Sequence, residues 1–290
     1  MTAYPEPMPS SAQHRPDAPT TPGIPRAATV LLLRPGTYSP APEVFTITRH
    51  TALAFSAGVS AFPGGRIDAA DELPADFWAG TDLVDWGHRL RLEPDTAGMV
   101  LAGVVRETFE ETGVLLARHR DGRPVDGGTL AGLPDDARRR VEDHELDFAT
   151  LLAEHGLQPD AGGLRALSRW VTPEGEPRRY DTYFFLAALP HGQEPGTLSF
   201  EGADSRWTTA TTALQDFRAG VHQLMPPTWA QFRALAGAAD LDSALAVVGS
   251  LAPVQPTVAS RKPRRIIDFP GHEDFAEDLA AGSSASGPLA

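Results

Sequence analysis

The sequence predicts an α/β domain, and three observations carry that expectation. Short β-prone apolar runs recur at residues 27–33, 44–49, 164–171 and 180–188, with the length and residue types of strands. A long stretch from Asp95 to Thr112 has helical periodicity, and further helical patterns lie at 135–156, 211–218 and 226–248. Strands and helices therefore alternate along the chain, the pattern of a sheet covered by helices. A chain of 290 residues with 41% hydrophobic content can bury a substantial core.

Residues 1–25 are rich in Pro, Ser and Thr without periodicity and read as a disordered arm. The run from Ala27 to Leu33 is apolar on both parities, as in a strand buried on both faces. Arg34-Pro35-Gly36 ends it, and residues 44–49 form its expected hairpin partner. Residues 55–68 read as a strand entering the loop Phe62-Pro63-Gly64-Gly65, whose paired glycines permit close backbone approach to a ligand. Residues 71–94 scatter Phe77, Trp78, Trp86 and Leu90 among charges and predict one or two short helices, an insert with some core of its own.

The next helix, capped by Asp95 or Thr96 and stopped by Gly113, is the centre of the chain. At about 100° per residue, Glu107, Glu110 and Glu111 share one side. Gly98, Ala102, Val105 and Phe109 form an apolar stripe opposite, suited to docking on a sheet. Arg106 can bridge to Glu110, but one arginine does not balance three carboxylates, and hard, oxygen-ligated Mg²⁺ or Mn²⁺ fits the remainder.

Residues 118–133 read as loop, and 134–156 as a helical insertion started by Pro134 and stopped by Gly156. The strands at 164–171 and 180–188 belong to the main sheet. A short strand at 204–207, a helix at 211–218 and two helical stretches opened by Pro226-Pro227-Thr228 follow. From about residue 251, Pro, Ser and Gly return and a disordered tail to 290 is expected, carrying the basic cluster Arg261-Lys262-Pro263-Arg264-Arg265.

Composition removes several classes. The absence of cysteine excludes disulfides and thiolate chemistry. A net charge of −13 argues against general nucleic-acid binding. No apolar run reaches the roughly 20 residues needed to cross a bilayer, so a membrane partner is not expected and a cytoplasmic location is the default. An anionic substrate would need local cations, and Arg34, Arg49, Arg66, Arg165, Arg169, Arg178 and Arg179 lie near the motif-bearing segments.

The stretch Arg106-Glu107-Thr108-Phe109-Glu110-Glu111-Thr112-Gly113-Val114, with Gly65 upstream, resembles the signature of Nudix hydrolases. Thr108 stands where that signature has an aliphatic residue. Asp71, or Glu72 beside it, stands where it has its first glutamate, and the insert of about 71–95 splits the motif. A split motif with Phe-Pro-Gly-Gly before the insert resembles the branch that includes coenzyme A diphosphatases. Arg169-Trp170-Val171-Thr172-Pro173, the segment Arg178 to Leu186, and Met225-Pro226-Pro227-Thr228 also look like elements of that branch.

The resemblance covers roughly residues 26–250 and implies an α/β/α sandwich with a mixed sheet and helical insertions. It implies a Mg²⁺-dependent hydrolase in which Glu107, Glu110 and Glu111 hold the metal, with Mn²⁺ a possible substitute. Arg106 orients a carboxylate, and Gly64 and Gly65 contact substrate through their backbone; of the nearby cations, Arg49 and Arg179 are the candidates to bind its charge. The general base is left between Glu110, Glu111 and the loop acid Glu201. The expected substrate is a small diphosphate, CoA or acyl-CoA before ADP-ribose or NADH; a nucleotide-binding module without catalysis is the reading from another class. Oligomeric state is not readable from the chain.

Overall fold

The computed structural model describes residues 23–49, 58–198, 203–261 and 264–285. The expected N-terminal arm lies outside them, apart from its last three residues. Strand β1 (Arg26–Arg34) is the central strand expected from its apolar run, but its hairpin with β2 (Glu43–Arg49) is short, pairing only Leu33 with Val44 and Arg34 with Glu43. The other neighbours of β1 are distant in sequence. β3 (Val59–Ala61) leads into β4 (Gly64–Arg66), which pairs antiparallel with Ala27, Ala28 and Thr29.

The segment 69–90 forms two 3₁₀ turns, Ala69–Asp71 and Ala75–Trp78, and helix α1 (Leu83–Leu90). It has no core of its own: Phe77, Trp78, Trp86 and Leu90 join the main core, and Trp86 meets Phe185 with ring centroids 6.3 Å apart. The acid helix α2 spans Pro94–Thr112, starting earlier than expected with Glu93 as cap and Pro94 in the first turn, where its missing N–H costs nothing. Gly113 takes the left-handed φ of 77° that terminates it.

Residues 118–133 are not simply loop. β5 (Ala117–His119) pairs with β6 (Leu157–Pro159), and α3 (Gly127–Leu130) follows an Asp126 cap. The expected helix at 134–156 breaks into α4 (Ala137–Glu142) and α5 (Phe148–Glu154). The break holds His144 at φ 56°, a left-handed conformation that no helix interior accommodates.

β7 (Leu164–Val171) and β8 (Asp181–Ala188) fall where the sequence places them. β8 lies parallel to β1 over eight residue pairs and antiparallel to β7. β9 (Ala203–Thr209) pairs with β2; α6 (Ala210–Arg218), the short β10 (Gln223–Leu224), α7 (Pro226–Leu235) and α8 (Leu241–Leu245) follow. The mixed sheet runs β10-β3-β2-β1-β8-β7 and ends on β11 (Ser250–Val254), with β4 and β9 branching from it.

Side chains alternate across this sheet. Ala28, Val30, Leu32, Tyr183 and Phe185 face α1 and α2, while Leu31, Leu33, Phe184 and Leu186 face α6 and α7. Both faces are buried, so the apolar run of β1 has no polar parity. The result is the expected three-layer sandwich.

The region from 251 departs from expectation. It supplies β11, a hairpin of β12 (Thr257–Arg261) and β13 (Arg264–Asp268), and α9 (His272–Ala285). Phe269 is buried against Trp170 and Trp229, Phe275 stacks on Phe217, and Asp278 accepts from Trp229 Nε1 and Arg218 Nε. Its Pro and Ser content hides the pattern because few aromatic anchors, rather than a periodic face, hold it down.

One buried ion pair crosses the sheet. Arg169 donates through Nε and Nη2 to the two carboxylate oxygens of Asp181 at 2.8 and 2.6 Å, and both side chains are almost fully enclosed. Removing one partner strands the other charge, so Asp181→Ala should cost about 3–5 kcal/mol in a denaturant titration.

Candidate active site

The site is built where α2 crosses β4. Glu107 and Arg106 sit beside Gly65 and Arg66, and Glu111 beside Gly64. A Cβ on Gly65 would fall on the Glu107 carboxylate, and Gly64, at φ 152°, donates its N–H to Glu111 Oε2 at 2.9 Å. The glycine pair is thus the seat for two of the three carboxylates. Gly65→Ala should displace Glu107 and lower turnover more than stability, measured as kcat against Tm.

Arg106 gathers the remaining acids. Its Nε and Nη2 donate to Asp71 at 2.8 and 3.0 Å, Nη2 also to the Arg66 carbonyl at 3.0 Å, and Nη1 to both oxygens of Glu110 at 3.1 and 3.0 Å. Glu107 Oε1 lies 3.0 Å from the same Nη1. Asp71, not Glu72, is therefore the acid tied to the helix; it is buried whereas Glu72 is exposed. Gly103, one turn before Arg106, leaves the room that Asp71 and Ile67 occupy. Thr108, replacing an aliphatic residue, is wholly buried and donates its hydroxyl to the Val104 carbonyl at 2.6 Å, which settles its polar atom inside the helix.

Electrostatics follow from this crowding. Burial, opposed by Arg106 and reinforced by Glu110 and Glu111, pushes Glu107 up to about 7. Burial also raises Glu110 against the pull of Arg106. Burial works against the Arg106 charge too, but the hydrogen bonds and charge of Asp71, with Glu107 and Glu110, outweigh it and hold the guanidinium above its usual range.

Among the described residues, no three acidic or histidine side chains form a ready cage for an ion. Glu111 turns to Gly64, Glu110 to Arg106, and Glu107 lies between Gly65 and Arg106, so the shared helix side brings the acids together without aiming them at one point. The donor set nevertheless fits a divalent cation. Three carboxylates, those of Asp71, Glu107 and Glu110, face a single guanidinium, Glu111 lies beside them on the glycine seat, and all the donors are hard oxygens.

Two residues that sequence reading passed over hold the end of this helix. Arg138 donates to the carbonyls of Glu110 and Glu111 at 2.8 and 2.7 Å, complementing the negative end of the helix dipole. Gln193 is buried and bonds the N–H of Leu115 and the carbonyls of Leu115 and Val125, pinning the exit of the helix. Both contacts span long sequence separations and leave no local pattern.

The other expected site residues are dispersed. Arg179 lies before β8, its Nε donating to the Thr172 carbonyl at 3.1 Å. Arg49 belongs to β2, paired with Val59 and Ala203, its side chain outside the described part, and Glu201 lies outside the described residues altogether. Of the other cations considered, Arg34 pairs with Glu43 and stacks on Trp207, Arg165 binds the Gly162 and Leu164 carbonyls, and Arg169 holds Asp181. These three serve the fold.

A mixed sheet between helix layers, with an Arg-Glu-x-x-Glu-Glu helix seated on a glycine pair, defines a Nudix-type domain. The model of the NUDT19 Nudix domain matches residues 92–235. The chain is 30% identical over 265 residues to the human acyl-coenzyme A diphosphatase NUDT19, covering 74% of this chain and 69% of that protein. It is 32% identical over 249 residues to the chicken (Gallus gallus) protein of that name, covering 69% of this chain and 65% of the relative, so it spans just under two thirds of the chicken protein. A crystal structure of a Nudix hydrolase from Alicyclobacillus acidocaldarius superposes with TM-score 0.61 at 28% identity, over 79% of this chain and 98% of that one. The chain belongs to the Nudix hydrolase family. Enzymes of this family generally use divalent metals. No described helix is long and apolar enough to cross a membrane.

Proposed function

We propose that this chain is a Mg²⁺-dependent diphosphatase that cleaves CoA or acyl-CoA into 3′,5′-ADP and (acyl-)4′-phosphopantetheine. The observation that carries this reading is the complete set of Arg106, Glu107, Glu110 and Glu111 on a glycine seat, in a chain similar to proteins named acyl-coenzyme A diphosphatases. A nucleotide sensor that had abandoned catalysis would have little use for so many clustered acids.

Glu107, Glu110 and Glu111 would hold the cation. When bound, it supplies charge neutralisation for the diphosphate oxygens and acidifies a water molecule. The chain's own contribution is positioning. The Gly64 N–H fixes Glu111, Arg106 fixes Glu110, and Asp71 fixes Arg106 in turn. The acceptor for the proton of the attacking water is Glu110, whose oxygens accept from Arg106, or Glu111, which accepts the Gly64 N–H. The water oxygen bonds one phosphorus, the bridging oxygen departs on the other, and no covalent enzyme intermediate is required.

Purified protein with Mg²⁺ should be offered CoA, acyl-CoA, NADH and ADP-ribose. Release of 3′,5′-ADP with 4′-phosphopantetheine supports the reading. Inactivity toward both CoA and acyl-CoA alongside cleavage of ADP-ribose or NADH replaces it with the dinucleotide reading, and inactivity on all four leaves the binding module.

A further inference from the structure

On the face of the sheet opposite α2 lies a cavity of about 300 Å³ that none of the roles above uses. Phe184 and Thr182 of β8 and Trp170 of β7 line it, and Pro226 and Pro227 close it from the head of α7. The Arg169–Pro173 and Met225–Thr228 motifs both supply lining residues. Its remaining wall is Pro256, Val258 and Ile267, from the C-terminal hairpin and the turn before it, beyond the residues that the family model matches. The lining is mostly hydrocarbon, with Arg178 and Glu176 as its charged members.

Its position ties it to the acid helix. Phe184 pairs with Thr29 of β1 and Thr29 pairs with Gly64; Thr182 pairs with Ala27 and Ala27 with Arg66. In the plane of the sheet the floor is therefore two strands from the glycine seat, roughly 10 Å at ordinary strand spacing. It lies on the opposite face, so a substrate arm reaches it around the sheet end where Ala27 and Thr182 begin their strands. Arg179, anchored on the carbonyl of the cavity residue Thr172, puts a second cation beside Arg178. A volume near the lower end for small-molecule sites suits one arm of a large substrate, not the whole of it. The walls lack the array of fixed donors and acceptors that reading a nucleobase requires.

We infer that this cavity receives the thioester-bearing, apolar arm of an acyl-CoA, and that the C-terminal hairpin sets the preference for acylated over free CoA. This rests on the diphosphatase reading above. Trp78 and Trp86 of the 69–90 segment are buried in the main core and line no part of this cavity.

The test uses the full chain with Mg²⁺ and two substrates, CoA and octanoyl-CoA. Ile267→Glu and Val258→Trp, both on the partly exposed hairpin, should raise KM for octanoyl-CoA and lower its kcat/KM by about 10-fold or more, a change typical of altering an apolar pocket. The kcat on CoA should be unchanged, and Ile267→Leu should behave as the parent. An unaltered octanoyl-CoA to CoA ratio in both variants, or equal losses on both substrates, overturns the acyl assignment while CoA cleavage by the parent still stands. Failure of the parent on both substrates instead removes the reading beneath it.

Discussion

Glu111→Gln is expected to reduce kcat for diphosphate cleavage by at least about 10²-fold, the scale of losing a positioned base or charge-stabilising group. The substitution keeps the side chain's size and an oxygen that can accept the Gly64 N–H, so the fold should survive. Tm near that of the parent, together with the collapse in kcat, would assign Glu111 to the chemistry. Parent-like turnover would move the base elsewhere, to Glu110 or Glu201. Glu110→Gln should also cost orders of magnitude in turnover, but it loosens Arg106 as well and should lower Tm measurably.

Arg106→Ala carries an expected loss of stability as large as that of breaking the Arg169–Asp181 pair. Arg106 is the sole cation bonded to Asp71, Glu107 and Glu110 in the described hydrogen bonds and ion pairs, and Asp71 is almost completely enclosed. Without it, buried carboxylates face one another, at a cost of about 3–5 kcal/mol and a fall in Tm on the order of 10 °C. Arg106→Lys restores charge but not the fork that engages Asp71 and Glu110 together, so it should fall between parent and Ala. Combining Arg106→Ala with Asp71→Asn should recover part of the loss, because the second change removes one of the stranded charges. Strict additivity of the two would contradict the pairing.

The carboxylate helix was the most legible part of the chain because its information is local. Spacing of i, i+3 and i+4 puts Glu107, Glu110 and Glu111 on one side in any α-helix, and Gly113 stops that helix wherever it lies. The strands at 164–171 and 181–188 were legible for the same reason, being short β-prone runs between breakers. The 251–285 region was not, because Phe269, Phe275 and Asp278 stabilise it through contacts with Trp229, Phe217 and Arg218 many residues away. Arg138 and Gln193 were invisible likewise; nothing near them in sequence announces a helix end to be held.

The sequence by itself determined the fold class, the family resemblance and the chemical character of the site: several carboxylates, one guanidinium and a glycine pair. Only the tertiary structure decided how they are connected. Gly64 and Gly65 reach Glu111 and Glu107 because β4 pairs with β1 beneath α2. Asp71 rather than Glu72 takes Arg106, because the 3₁₀ turn at Ala69–Asp71 directs one inward and leaves the other exposed. The helix makes the acids neighbours, while their partners are set by chain segments folding back across about 40 residues, which no local periodicity encodes.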